Sequence, residues 1–506
     1  MLLYKMKGIL KNRLLIIGLV LGSVILPSCK DWLYLEPQDA IIVQEYWQSK
    51  EEVHAAAMGI YSSMVSDHPW KFFTWGEIRG EMVKSDYAST NYAYVNNGDI
   101  LPTLNVVKWA PLYRTINYCN NLIAQAPQVL DRDPSFTQAD LNVYLSEAYA
   151  VRALMYFYLT RFFQEVPLVL EATLTDEQEA RVPKSSQQVI LKQILEDLEL
   201  AEKYAVRSYG DLESDKGRIT VYAINTIQAN VNLWTNDYDK SIEAANKVIA
   251  SGNYGLVPGD DLWLTTLFHE TNSIEGIFEL QYSLQNLNPF YNNLSLSRLF
   301  YANADIMDTY FPINIYMPAD SADIRGDRGS FRSSRNYNLW KYIGINRSVA
   351  KEQDDATSNF IVYRYADVLL MKAEALAMRG NGGDFEESLR LIKLIRARAN
   401  AADETQYIMD GEVLDTRSLI SYIVNERARE FMFEGKRWLD VLRNARRNNY
   451  ERMDLIEDMV LVAAPYNRMQ IIKNKYQDTL SHYFPIPQDD INAGYPVLEQ
   501  NPFYEY

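Results

Sequence analysis

The chain has 506 residues, with 50 Lys and Arg against 66 Asp and Glu, for a formal net charge of −16. That acidity argues against nucleic acid as a partner, since its recognition needs a positive footprint, and against anionic lipid as a partner of the folded surface. With 4 His and 2 Cys, and no H-x-x-x-H, H-x-E, P-loop, G-x-G-x-x-G or G-x-S-x-G pattern, the composition gives no support to a metal centre, a nucleotide cofactor or a serine nucleophile.

The chain opens with Lys5, Lys7, Lys11 and Arg13, followed by an apolar run from Leu14 to Leu26 and then Pro27-Ser28-Cys29. A basic start, a short apolar core and a small residue before the cut describe a secretory signal over residues 1–28. The run is shorter than the ~20 apolar residues of a membrane span. Small residues directly before a cysteine make the cut site resemble a bacterial lipobox, which makes Cys29 the lipidated first residue; an ordinary signal peptide is the competing reading. Cleavage removes four positive charges and no negative ones, taking −16 to −20. The lipid is then the expected membrane attachment, and Cys119, left without a disulfide partner, is expected to pack as a small hydrophobe.

Beyond the signal, apolar residues recur with helical period. The spacing predicts helices over 45–65, 105–125, 137–163, 186–205, 220–235, 238–251, 360–379, 384–400, 416–434 and 436–445. Strand-like alternation is sparse, and Gly276–Tyr282 is too isolated for a large sheet. Two stretches read as helical hairpins. Ala223, Ile227, Ala229 and Leu233 lead through Asn236-Asp237 to Ile242, Ala245 and Val248, and Ala366, Leu370, Ala373 and Leu376 lead through Gly380–Gly383 to Leu389, Ile392 and Ile395. Small residues at helix approaches and a period in the low thirties resemble tetratricopeptide repeats, which must stack to bury their apolar faces. The expected class is all-α: a tetratricopeptide-like superhelix packed against an irregular, loop-rich half. The expected regions are 29–252, an irregular 253–355 and a helical 356–506. The aromatic residues of 253–355 argue against disorder there.

Several fragments in order resemble one family. They are Cys29-Lys30-Asp31-Trp32-Leu33, Trp109 with Leu112-Tyr113, Arg152-Ala153 with Tyr156-Phe157, and Arg181-Val182-Pro183. Arg364-Tyr365-Ala366-Asp367, Glu426-Arg427-Ala428-Arg429-Glu430, Gly435-Lys436-Arg437-Trp438 and Phe484-Pro485-Ile486-Pro487 follow. Together they resemble the SusD/RagB outer-membrane nutrient-binding lipoproteins. The resemblance implies a surface binding protein without catalytic activity; the missing motifs add the expectation of no cofactor and no metal centre, and calcium binding stays open because no D-x-[DN]-x-[DN]-G loop is present. Such a protein captures glycans, or peptides in a RagB-type branch, and delivers them to a SusC-like TonB-dependent transporter. An all-α glycosidase and a purely structural scaffold are the more distant alternatives.

The signature residues read as structural. Glu426, Glu430 and Glu434 repeat every four residues with arginines interspersed, and charge pairing on a helix surface explains them better than paired catalytic carboxylates. Ligand candidates are instead aromatic and polar residues in segments expected to be irregular, because flat rings stack on sugar C–H faces while amides and charges bond hydroxyls. The family's contacts come from the segment before the Trp109 helix and the region before the Arg364 helix. The first contributes Trp70, Trp75, Arg79, Asp86, Tyr92, Tyr94 and Asn96, and the second Tyr291, Asn292, Tyr337 and Trp340. Core packing is the competing reading for each. Trp340-Lys341-Tyr342 also resembles a lysine–aromatic patch that recurs in the family irrespective of ligand.

Overall fold

In the computed structural model, residues 46–85, 90–174, 181–312, 322–409 and 411–505 are described; the signal segment, Cys29 and Asp86 lie outside them. The long helices are α1 (Lys50–Glu77), α2 (Ala110–Gln125), α3 (Gln138–Phe163), α4 (Gln187–Tyr204), α5 (Val221–Trp234) and α6 (Tyr238–Ala250). After the irregular stretch come α7 (Tyr365–Arg379), α8 (Asp384–Ala399), α9 (Thr416–Glu430), α10 (Arg437–Ala445) and α11 (Asp454–Ala463). Local chemistry sets the starts. Ser49 and Glu52 form a capping box at α1, Thr137 and Asp140 another at α3, and Ser186, Thr220, Asp237 and Asp415 cap α4, α5, α6 and α9. Each cap satisfies backbone donors that the first helical turn leaves free.

Successive helices pack side by side from α1 through α8, and α6 lies directly against α7. The two hairpins singled out in the sequence are therefore neighbours in space, although the whole 253–355 stretch separates them in the chain. Both use one close-approach device. The Ser241 hydroxyl donates to the Ala229 carbonyl at 2.9 Å in α5/α6, and that of Ser388 to Ala373 at 2.8 Å in α7/α8. A serine and an alanine leave room for the backbones to approach while the hydroxyl stays bonded. The protein is all-α with this tetratricopeptide-like stacking.

Among the helix boundaries that differ from the sequence reading, two change which residues are buried near the candidate site. The first helix runs to Glu77, three turns past its expected end, and passes through Pro69. Proline removes the bond its N–H would make to the carbonyl four residues back, here Val65, and the Tyr282 hydroxyl donates to that carbonyl instead at 2.8 Å. The other is at 360–379, where residues Phe360–Arg364 form a strand before α7 begins. A run of buried β-branched and aromatic residues cannot be told from a buried helix by periodicity alone.

The strands are short and paired in twos. They are β1 (Val83–Ser85), β2 (Val166–Pro167), β3 (Lys184–Ser185), β4 (Gly276–Leu280), β5 (Phe300–Ala302), β6 (Phe331–Arg332), β7 (Asn338–Leu339) and β8 (Phe360–Arg364). All four pairs, β1–β5, β2–β3, β4–β8 and β6–β7, are antiparallel. Pairing of β4 with β8 delivers Arg364, fully buried, into a group of carboxylates. It bonds Glu275 and Glu430 at 2.6 Å each and Glu434 at 2.9 Å, while Arg325 reaches Glu426 and Glu430 at 2.6 and 2.9 Å. Glu426, Glu430 and Glu434 are thus buried ion-pair partners, not a surface stripe. Burial alone pushes a carboxyl pKa up. Against that push, Arg429, Arg325 and Arg396 hold Glu426 down at about 2, and Arg364 and Lys341 hold Glu434 at about 2.

Candidate functional site

The end of α1, β1 and the short helix Thr90–Asn96 frame two clefts. The smaller, about 220 Å³, is lined by Trp70, Lys71, Thr74, Asn91, Tyr92, Asn105 and Val106. Trp70 is half-buried. Its ring stacks on Phe73 at 5.4 Å, and Phe290 meets it edge-on at 5.3 Å. Its indole N–H donates to the Tyr92 hydroxyl at 2.9 Å, which fixes both rings at the cleft wall. Burial of the Lys71 ammonium pushes its pKa down to about 8. The cleft therefore offers aromatic edges, amides and an ammonium within one concavity, the mixture suited to a polyhydroxylated ligand.

The larger cleft, about 410 Å³, lies between β1, Ala93, Asn96 and Asn97, Tyr301 of β5, and Val462–Pro465 at the C-terminal end of α11. Asp305 is the one carboxylate among the described residues lining the two clefts, and the Lys84 ammonium holds it at 2.7 Å. Glycoside hydrolysis needs two carboxyl groups flanking one bond, and the described residues lining the two clefts include no such pair.

The sequence-predicted residues divide sharply. Trp70 and Tyr92 line the small cleft together, Asn96 lines the large one, and the Tyr94 ring is 45% exposed on the short helix between them. Asn96 is fully engaged: its amide donates to Ile78 and Val83 carbonyls at 2.6 and 3.3 Å and its carbonyl accepts from the Ser85 N–H at 2.9 Å. It clamps the backbone around β1. Tyr291 and Asn292 begin a helical turn apart from these clefts, with Asn292 accepting from Gln353 at 3.1 Å. Tyr337 stacks on Phe331 at 5.9 Å.

Three candidates are core residues, which corrects the expectation of exposure. Trp75 is 0% exposed; Phe162 and Phe163 surround it at 5.2 and 5.3 Å, and its N–H donates to the Val106 carbonyl. Arg79 lies 3.7 Å over the Trp438 ring and donates to the His482 and Ser481 carbonyls, tying α1 to the C-terminal segment. Trp340 is also 0% exposed, its ring covered by Arg332 and Arg335 and its N–H bonded to Asn346. For Trp75 the reason is the extension of α1: a helix continued through Pro69 turns a presumed loop into a core element. Lys71, Thr74, Asn91, Asn105, Tyr301 and Asp305 were not foreseen. A lysine inside an otherwise aromatic run was the one local signal for Lys71.

Burial pushes the Cys119 thiol well up and holds His68 near 3 and His482 near 4. Among the described residues no group of His, Cys, Asp or Glu is arranged for a metal, and no helix is long and apolar enough to cross a membrane.

Two family models match. Residues 301–504 match the SusD family, and residues 31–224 match one described as starch-binding, associating with the outer membrane. The SusD-like protein P38 of Formosa agariphila is 26% identical over 483 residues, covering 86% of this chain and 91% of its own. A SusD-like protein of Bacteroides ovatus is 21% identical, covering 86% and 83%. Among solved structures, a SusD superfamily protein of Bacteroides vulgatus aligns with a TM-score of 0.72 at 20% identity, covering 90% of this chain and 100% of that one. NanU of B. fragilis aligns with a TM-score of 0.68 at 21% identity, covering 93% and 100%. With two models of this family matched in order over residues 31–224 and 301–504, the chain belongs to the SusD/RagB family.

Proposed function

We propose that the protein is a cell-surface lipoprotein, tethered through Cys29, that binds oligo- or polysaccharide and passes it unmodified to a SusC-like TonB-dependent transporter. The observation that carries this reading is the cleft at Trp70, where an indole held by Tyr92 stands beside Lys71, Asn91 and Asn105. Matching a family model described as starch-binding and associating with the outer membrane supports the ligand class and the compartment. The absence of a carboxylate pair in the described lining of both clefts supports binding without turnover.

The test is binding of labelled oligosaccharides and of peptide mixtures to the full chain in detergent. Saccharide binding is expected, and Trp70→Ala is expected to weaken it at least tenfold, about 1.4 kcal/mol, with the helical circular-dichroism spectrum retained. Peptide binding without saccharide binding would move the protein to the peptide-binding branch. Turnover of a bound saccharide, abolished by a single Glu→Gln change, would overturn the non-enzymatic reading.

A further inference from the structure

On a chain of net charge −16, one surface loop is basic. Arg328 and Arg335 are exposed and Arg332 is half-buried, all around the β6–β7 hairpin. None of the three makes an ion pair with a carboxylate among the described residues. Arg328 donates to the Ser348 hydroxyl at 2.8 Å and the Arg347 carbonyl at 3.3 Å. Arg332 donates to the Ser348 carbonyl at 2.6 Å and the Ser334 hydroxyl at 3.3 Å. The Arg332 and Arg335 guanidiniums lie 4.6 and 5.3 Å over the Trp340 ring. The neighbouring acid, Asp327, spends its oxygens on the loop itself, accepting from the Ser333 N–H and hydroxyl, both at 2.8 Å, and from the Arg328 N–H at 3.0 Å. Like charges are crowded together here: beyond the effect of burial, Arg335 and Arg328 lower the Arg332 pKa.

The backbone is strained at the same place. Arg328 has φ +68°, and Asn336 and Tyr337 have +54° and +58°. Large side chains seldom adopt positive φ, and such strain concentrates at functional loops. The loop is also joined to the larger cleft. The Ala302 N–H donates to the Tyr337 carbonyl at 2.8 Å, and the adjacent Tyr301 lines that cleft.

We infer that Arg328, Arg332 and Arg335 form an anion subsite for an acidic saccharide, bonding a sulfate ester or a uronic carboxylate on the ligand while its neutral portion lies towards Tyr301 and Tyr337. Guanidinium forks suit both groups, because each presents paired oxygens to parallel N–H donors. An anion here relieves the repulsion among the three cations. The inference deepens the saccharide-binding reading and rests on it.

The test is affinity electrophoresis of the full chain in detergent through a sulfated galactan, the same galactan desulfated, and polygalacturonate. At low salt, one or both acidic polymers are expected to bind at least tenfold more tightly than the desulfated galactan, and which of the two does so identifies the anion. That advantage is expected to fall as salt screens the charges, and to disappear in Arg328→Gln/Arg335→Gln. This double variant leaves Arg332 to cover Trp340, and a melting temperature close to wild type confirms its fold. Equal or tighter binding of the desulfated polymer overturns the inference. So does an acidic preference that survives in the folded double variant, or one that is insensitive to salt. In these cases the saccharide reading stands. Binding of none of the three polymers, nor of any labelled oligosaccharide, overturns the saccharide reading itself and the inference with it.

Discussion

Trp70 and Trp75 lie five positions apart on α1, about 140° around the helix. That rotation separates their roles: Trp70 reaches a cleft wall and Trp75 enters the core between Phe162, Phe163 and Phe484. Trp75→Ala empties a closed site whose neighbours are already packed. It is expected to cost about 3–5 kcal/mol, read as a fall in denaturation midpoint. A change within 0.5 kcal/mol would mean that Trp75 is not part of the core. An aromatic run rich in ring types that serve both cores and sugar platforms cannot separate the two by composition. Trp340 illustrates the same ambiguity. Arg332 and Arg335, several residues earlier, fold back across its ring.

Among the elements, the end of α1 and the turn leading into α10 are joined without room to spare. A Cβ on Gly76 would stand 1.9 Å from the Gly435 carbonyl oxygen, and Gly435 itself has φ +76°. Glu77 closes the joint, accepting from the Gly435 and Lys436 N–H groups at 2.8 and 3.1 Å. Burial pushes its carboxyl up to about 8, against the downward pull of those two bonds. The folded protein therefore holds a proton there that the unfolded chain releases near 4.5. The stability linked to that proton is fully present below about pH 4.5 and is lost as pH rises through about 8. Glu77→Gln keeps an oxygen for both N–H donors and removes the titration. Its melting temperature relative to wild type is expected to climb between pH 5 and pH 8; a difference independent of pH would contradict the assignment. The buried Glu426, Glu430 and Glu434 have the opposite sign, their carboxyls held low by arginines, so they favour folding at neutral pH and lose that contribution in acid. Their four-residue spacing was visible in the sequence. Their burial was not, because Arg325 and Arg364 reach them from segments about 100 and 65 positions away.

At the scale of the whole molecule, the proposed tether and the folded body are separate questions. Cys29→Ala is expected to release the protein from membranes into the soluble fraction while leaving the cooperative thermal transition unchanged. A membrane-bound, lipid-labelled variant would refute lipidation at Cys29. The folded body from Trp47 onward is one contact unit, and its organising fact is that α6 and α7 touch across the long insertion between them. The insertion supplies β4 to pair with β8, β5 to pair with β1, and the arginine-bearing hairpin, so its irregular segments are held on a stack of helical hairpins.

Helical class, hairpin pairs and family membership were legible in the chain, because they rest on local periodicity, turn residues and motif order. The candidate site was legible only in part. Trp70 and Tyr92 were named, but so were Trp75, Arg79 and Trp340, and Lys71, Asn91 and Asn105 were not. Whether an aromatic or charged side chain faces a cleft or the core depends on the partners that distant segments bring to it. Tyr282 carried α1 through Pro69, and that single long-range bond belongs to the tertiary structure that moved half of the expected binding segment indoors.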